Sequence, residues 1–293
     1  MTLSSLHREF LRHCEIEKRL APQTITAYHS DFAQFLGYLL DGRPGPARRD
    51  SLRAFTTAGL RDYQRHMATE QWRTNTLRRR LVELGCFGAW LVDRGYLKRN
   101  PVRALSVPKR ERHLPRVLEW HQAEAAVATE SHPRDRAILA LLAFAGLRRG
   151  EVIAASIGDY SRESRSLRVR GKGNKDRVVP LHTVAKEAVD VYLAGREPLT
   201  ASDPLFVSSR GRIGKRPIIN AVARAGRGLG IRLHPHVFRH TFATELLNRR
   251  ADLRVIQTLL GHESLETTEV YTHVSPGRRR EAIDLLGDNR GGH

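Results

Sequence analysis

The chain has 293 residues, two cysteines, and 50 Lys and Arg against 31 Asp and Glu. Its length admits two domains, each able to bury its own core, and its net charge of +19 favours a polyanionic partner such as nucleic acid over an acidic one. The excess is shared, with 20 basic against 10 acidic side chains up to residue 110 and 30 against 21 beyond it. Cys14 and Cys86 supply neither a disulfide framework nor a zinc-ligand spacing. No run approaches the length of a signal h-region or a membrane span, so the expectation is a cytoplasmic protein with no membrane partner.

In chain order, Leu6, Phe10 and Cys14 recur at helical spacing, and Ile25, Tyr28, Phe32, Phe35 and Leu39 mark a second amphipathic helix after Pro22. Leu60, Tyr63 and Met67 form a third stripe. Leu77, Leu81, Leu84, Phe87 and Leu91 form a fourth that ends near Gly95. Together these predict a helical bundle over residues 1–106. Its aromatic members fall on the apolar stripes and not among the arginines, which makes them core and not base-stacking platforms. Residues 107–115 combine prolines with a charge run and read as a linker.

From Trp120 helical patterning resumes, with Ile138, Leu141, Leu142 and Ala145 leading to a turn at Gly146. This helix is expected to deliver Arg148 from its C-terminal end. Leu167-Arg168-Val169-Arg170 alternates with period two, Gly171 to Asp176 is turn chemistry, and Val178-Val179-Pro180-Leu181 resumes an extended pattern. The result is a β-hairpin with a lysine at its tip. Helices are predicted around 183–195, 216–228, 235–249, 252–260 and 264–272, so residues 116–293 are mainly α with a small β-hairpin.

Gly226, Gly228 and Gly230 resemble the start of a phosphate-cradling loop, but no strand precedes them and no P-loop lysine follows, so a tight turn accounts for them. His236 and His240 have the i, i+4 spacing of a zinc pair. No Glu stands between them and no third ligand is placed nearby, so no metal is expected. His236 and Arg239 at i and i+3 share a helix face, and imidazole and guanidinium presented together suit a phosphate. Taken singly, Arg239 is an ordinary surface arginine and His236, beside Pro235, a helix-start residue.

Together with Leu259-Leu260-Gly261-His262 and with Tyr271 in Glu269-Val270-Tyr271-Thr272-His273, these residues resemble a tyrosine recombinase of the phage-integrase family. Ala145-Gly146-Leu147-Arg148-Arg149-Gly150-Glu151 resembles the first arginine motif of that family, and Gly171-Lys172-Gly173-Asn174-Lys175-Asp176-Arg177 resembles its lysine hairpin. His236-Val237-Phe238-Arg239-His240, Gly261-His262 and Tyr271 then follow in the family's order. The run Ala251-Asp252-Leu253-Arg254-Val255-Ile256-Gln257 and the compact length are most similar to Xer-type recombinases. Arg149-Gly150 ahead of Glu151 departs from the smaller or apolar residues more frequent there.

The resemblance implies a mainly α, two-domain C-shaped clamp, with a helical core DNA-binding domain (1–106) and a tyrosine-recombinase catalytic domain (116–293). It also implies a transesterification, in which Tyr271 attacks a phosphate of a double-stranded DNA recombination site, forms a 3′-phosphotyrosyl link and expels a 5′-hydroxyl. Arg148 and Arg239 would clamp the phosphate oxygens, Lys172 protonate the leaving oxygen, His236 accept the Tyr271 proton, and His262 hydrogen-bond the phosphate. Lys175, the competing lysine, and Arg177 are expected on the DNA backbone. Glu151 is expected to orient a clamp arginine or a catalytic histidine. No cofactor is implied, since the phosphotyrosine conserves the energy of the broken bond.

From about residue 277 a basic stretch and the stripe Ala282, Ile283, Leu285 and Leu286 predict a terminal helix. In relatives such a helix docks on a neighbouring protomer, and an intramolecular core helix is the alternative. Docking in trans would give a homotetramer on two DNA sites passing through a Holliday junction, with a second recombinase or accessory protein left open. The competing readings are a type IB topoisomerase-like relaxing enzyme, against which the tail and compact length count, and a catalytically silent DNA-binding protein, against which the six filled catalytic positions count.

Overall fold

The computed structural model describes residues 1–41, 50–109, 117–170, 176–196 and 199–261. The chain divides into two compact units, Met1–His113 and Leu114–His293. The first contains α1 (Leu3–Ile16), α2 (Pro22–Leu40), α3 (Thr57–Thr69) and α4 (Thr74–Asp93). Local chemistry starts three of them. The Thr2 and Thr56 hydroxyls accept backbone N–H groups of Ser5 and Gly59, and Pro22 opens α2. The apolar stripes then pack together: Leu6, Phe10, Phe32, Phe35, Leu60, Tyr63, Met67, Leu81, Leu84, Phe87 and Leu91 are buried, while Ile25, Tyr28 and Leu39 pack at the margin. Phe87 sits among Phe10, Phe32, Phe55 and Trp90, with ring centroids 5.4–6.2 Å apart. The aromatic residues are core, as their position on the stripes predicts.

A polar seam runs through this core. His7 stacks on Phe32 at 3.8 Å, and its Nε2 lies 2.9 Å from Oε1 of the buried Glu83. Beside them the buried Asp31 pairs with Arg79 and lies 3.7 Å from Arg80 Nε. Arg80 donates to the Tyr63 hydroxyl at 3.0 Å and covers the Trp72 ring at 3.7 Å. Burial, and then nearby His29, hold the His7 imidazole down to about 3. Burial and then Asp31 push the Glu83 carboxyl well above its usual range, against the pull of Arg79. The His7–Glu83 contact is therefore a hydrogen bond with an uncharged imidazole and not an ion pair.

After α4 the chain turns through a 3₁₀ segment, Pro101–Ala104. It then runs back along the bundle, where Gln64 Nε2 donates to Ser106 O at 2.9 Å and Arg78 Nη1 to Pro108 O at 3.2 Å. The opening of the proline-rich segment is thus held to α3 and α4.

In the second unit come α5 (Trp120–Ala128), α6 (Pro133–Phe144) and α7 (Arg149–Ala154). The sequence pattern suggests one helical stretch from Trp120 that delivers Arg148 from its end. Instead the chain breaks ahead of Pro133, α6 stops at Phe144, and Gly146, at φ +60, reverses the backbone so that Arg148 caps the start of α7. Every residue from Ala137 to Ala145 is buried. A helix apolar on all sides belongs at the centre, and α6 is packed against α5, α8 (Thr183–Ala194), α9 (Lys215–Gly228) and α10 (Pro235–Asn248).

A three-stranded antiparallel sheet, β1 (Tyr160–Ser161), β2 (Ser166–Arg170) and β3 (Asp176–Pro180), carries the predicted hairpin. Leu167 and Val169 point inward, and Arg170 pairs with Asp176 on either side of residues 171–175. A second hairpin, β4 (Val207–Ser208) with β5 (Gly211–Arg212), is too short for periodicity to reveal. Gly226 and Gly228 lie in the last turn of α9, and the tight turn follows at Gly230, φ +68.

The final described element, α11 (Leu253–Leu260), starts on the Asp252 carboxylate and packs on α10 through Phe242, Ala243, Ile256 and Leu260. The helix predicted at 264–272 and the terminal segment from 277 lie outside the described residues. Among the described residues no helix is long and apolar enough to cross a membrane.

The seam makes stability depend on pH. His7 is depressed in the folded chain, so its contribution is present above the unfolded value of about 6.5 and is lost as pH falls toward about 3. The raised Glu83 acts in the opposite sense, losing stability as pH rises above the usual carboxylate range. In His7→Phe, urea titrations should show the variant gaining on the wild type by up to about 1.4 kcal/mol per pH unit through the histidine range. A pH-independent difference would contradict an uncharged buried His7.

Candidate active site

Three arginines from three segments converge on one helix end. α11 closes at Gly261 in the left-handed conformation, φ 61, and the last carbonyls of a helix have no partner within it. Arg177 Nε donates to Leu259 O at 3.0 Å, Arg239 Nη2 to Leu260 O at 2.5 Å, and Arg148 Nη2 to Gly261 O at 2.9 Å. Three consecutive carbonyls, at the negative end of the helix macrodipole, are thus each matched to a different cation.

Each arginine reaches this point for a local reason. Arg148 caps α7, and its backbone N–H is accepted by Glu151 Oε2 at 2.8 Å, the return half of a capping box. Arg239 lies one turn into α10, is 4% exposed, and also donates Nη1 to Gly146 O at 2.6 Å. That second bond requires glycine. A Cβ on residue 146 would sit 2.5 Å from a Phe242 ring carbon and 3.1 Å from Leu260 Cδ2, in a backbone conformation other residues rarely adopt.

The buried Glu151 holds the cluster together. Its Oε1 accepts from Arg148 Nη1 at 2.8 Å and Arg177 Nη1 at 2.9 Å, and its Oε2 accepts from Arg148 N and from Arg177 Nη2 at 3.1 Å. Burial raises the Glu151 carboxyl, but bonds from Arg177 and the Arg148 backbone and the charges of both arginines outweigh it and hold it below its usual range. At the far end of α7, Arg212 Nη1 donates to Ile153, Ala154 and Ala155 carbonyls at 2.8–3.0 Å. This short helix is therefore fixed at both ends by arginines.

His236 is solvent-accessible on the first turn of α10. Crowding by protein atoms, then His234, Arg239, Arg149 and Arg148, hold its pKa below the ordinary histidine value. The partly buried His240 is pushed down to about 4 by burial and then by His236, Arg239 and His234. A neutral His236 beside a cationic cluster can accept a proton. Three arginines against the single carboxylate of Glu151 leave the cluster net positive, which attracts an anion.

Of the residues singled out from the sequence, Arg148, Arg239, Glu151 and Arg177 come together, and His236 lies within their field. Lys172, Lys175, His262 and Tyr271 lie outside the described residues. Arg177, expected on DNA, is 14% exposed along its side chain and directs its guanidinium to Glu151 and Leu259. Arg212 is not signalled by any motif. The Leu259-Leu260-Gly261 ending does announce a helix C-terminus, but not which cations cap it.

Residues 116–278 match the model of the phage integrase family, and residues 8–95 match its N-terminal SAM-like domain. The chain belongs to the phage integrase family. It is a tyrosine recombinase, a site-specific DNA recombinase. It is 39% identical to the tyrosine recombinase XerC of Pelobacter propionicus over 94% of this chain and 93% of that protein. It is also 35% identical to the XerC of Haemophilus influenzae over 96% of each. A crystal structure of the XerH site-specific recombinase bound to palindromic difH substrate shares the fold, with a TM-score of 0.73 at 21% identity over 98% of this chain and 85% of that one.

Two outcomes follow from the geometry. Gly146→Ala should lower stability by about 2–4 kcal/mol in thermal or chemical unfolding, from backbone strain and overlap with Phe242 and Leu260; unchanged stability would contradict the close approach. Arg149→Gln removes one of the cations that depress His236, so an NMR titration should show its imidazole moving up toward about 6.5. An unmoved value would leave burial and the other cations as the whole cause.

Proposed function

We propose that this recombinase cuts and rejoins double-stranded DNA through a 3′-phosphotyrosyl bond to Tyr271, exchanging strands between two sites by way of a Holliday junction in a homotetramer. The observation that carries the reading is the pairing of Arg148 and Arg239 on the successive carbonyls of Gly261 and Leu260, directly before His262. Two preorganised guanidiniums suit a pentavalent phosphorane, whose charge gathers on the non-bridging oxygens.

In the proposed reaction the Tyr271 oxygen attacks phosphorus and its proton passes to the neutral His236. The bond from phosphorus to the 5′-oxygen breaks, and Lys172 supplies the proton that the leaving 5′-oxygen takes up. Rejoining runs the steps backward, with a 5′-hydroxyl attacking the phosphotyrosine. His262 completes the hydrogen bonding of the phosphate, and Lys175 contacts the DNA backbone. Because His236 is held below its ordinary value, its base form persists below pH 6.5.

A duplex recovered by binding selection from a random-sequence pool, nicked so that cleavage cannot be reversed, tests the reading. The wild type should form a covalent complex that survives denaturant, and Tyr271→Phe should abolish it. Tyr192→Phe, which removes only a buried hydroxyl accepting from Val207 N, should retain it. No adduct, or an adduct that survives in Tyr271→Phe, would sink the proposal. The acid limb of adduct formation should lie below about 6.5.

A further inference from the structure

We infer that Arg177 is a positioning residue for strand cleavage, fastening the strand that leaves the lysine hairpin to the arginine clamp, and not a DNA-phosphate ligand. The inference rests on the transesterification proposed above and concerns how its parts are held in register.

Strand geometry sends Arg177 inward. It pairs with the buried Val169 across the sheet and shares a face with the buried Val179, since alternate residues of a strand point the same way. A guanidinium at such a position is costly unless its donors are matched, and here each of its three nitrogens has a protein acceptor. Nε bonds Leu259 O, while Nη1 and Nη2 straddle the two oxygens of Glu151 at 2.9 and 3.1 Å.

Those acceptors belong to different segments. Glu151 also holds Arg148 by side chain and backbone. Leu259 stands one residue before the carbonyl that receives Arg239. Gly261 packs so closely that a Cβ there would lie 2.8 Å from Arg177 Nη1. One planar, rigid fork thus fixes three things together: β3 just past residues 171–175, the carboxylate behind Arg148, and the end of α11 before His262. Lysine offers a point charge and no fork, so it cannot reproduce the angular constraint.

The test compares Arg177→Gln and Arg177→Lys with wild type on the nicked duplex, measuring DNA affinity against salt and single-turnover adduct formation on saturated DNA. Positioning predicts wild-type affinity and an unchanged salt slope, with cleavage reduced on the order of 100-fold in Arg177→Gln and less in Arg177→Lys. It also predicts that Arg177→Gln loses cleavage to protonation of Glu151 at a higher pH than the wild type does, as an acid limb separate from that of His236, because Arg177 is a principal partner holding Glu151 ionised. A purely structural role would lower the melting temperature without moving that limb.

If Arg177→Gln does not fold, Arg177→Lys carries the comparison. Weaker binding with a salt slope reduced by about one and unchanged cleavage at saturation would identify a phosphate contact and overturn the inference. Wild-type cleavage and an unmoved acid limb in both variants would overturn it as well. A wild type that forms no adduct overturns the Tyr271 reaction itself, an outcome distinct from either.

Discussion

The catalytic unit depends on one electrostatic match, between the open carbonyl end of α11 and the guanidiniums that cap it. A helix terminus with unmatched carbonyls is a partial negative charge, and several arginines crowded together repel one another. Each problem resolves the other. Arg177, Arg239 and Arg148 take successive carbonyls at Leu259, Leu260 and Gly261, and Glu151 supplies the full negative charge that keeps two of them in contact. A net positive cluster is thereby held in place by the fold's own acceptors.

The two units solve burial differently. Around α6 the second unit buries a run, Ala137–Phe144, that is apolar on every side, and its polar chemistry gathers at helix ends. The first unit instead carries His7, Asp31, Arg80 and Glu83 through the middle of an aromatic core. The flat imidazole stacks on Phe32 like another ring, and the arginine covers Trp72. Desolvation keeps the histidine neutral, so the core carries fewer full charges than the residue types imply.

Much of this was legible from spacing. The stripes through Phe10, Phe35, Met67 and Leu84 place four helices because burial of one face imposes the helical period. The motifs around Arg148 and Arg239 mark residues that the structure indeed brings together. What spacing missed has physical causes. The apolar run to Ala145 marked the turn at Gly146, but not that this single left-handed glycine makes Arg148 begin a new helix. Arg177 looked outward because it follows a basic turn. Counting in twos from Val179 would have turned it inward, but only the partner across space, Glu151, makes an inward-facing arginine reasonable. Arg212 caps α7 from a hairpin too short to leave a pattern.

The capping of α11 also changes how mutations at this site combine. Arg239 is both a proposed phosphate clamp and the tie between Gly146 and Leu260, which join α6 to the α10–α11 pair. Its loss therefore removes a reactive group and loosens the support under Arg148 and His236 at the same time. Because Arg148, Arg177 and Arg239 share one helix end, and the first two also share one carboxylate, the second substitution among them acts on a site already disordered by the first. Epistasis within this trio is a property of the architecture, and sequence change here is constrained as a block.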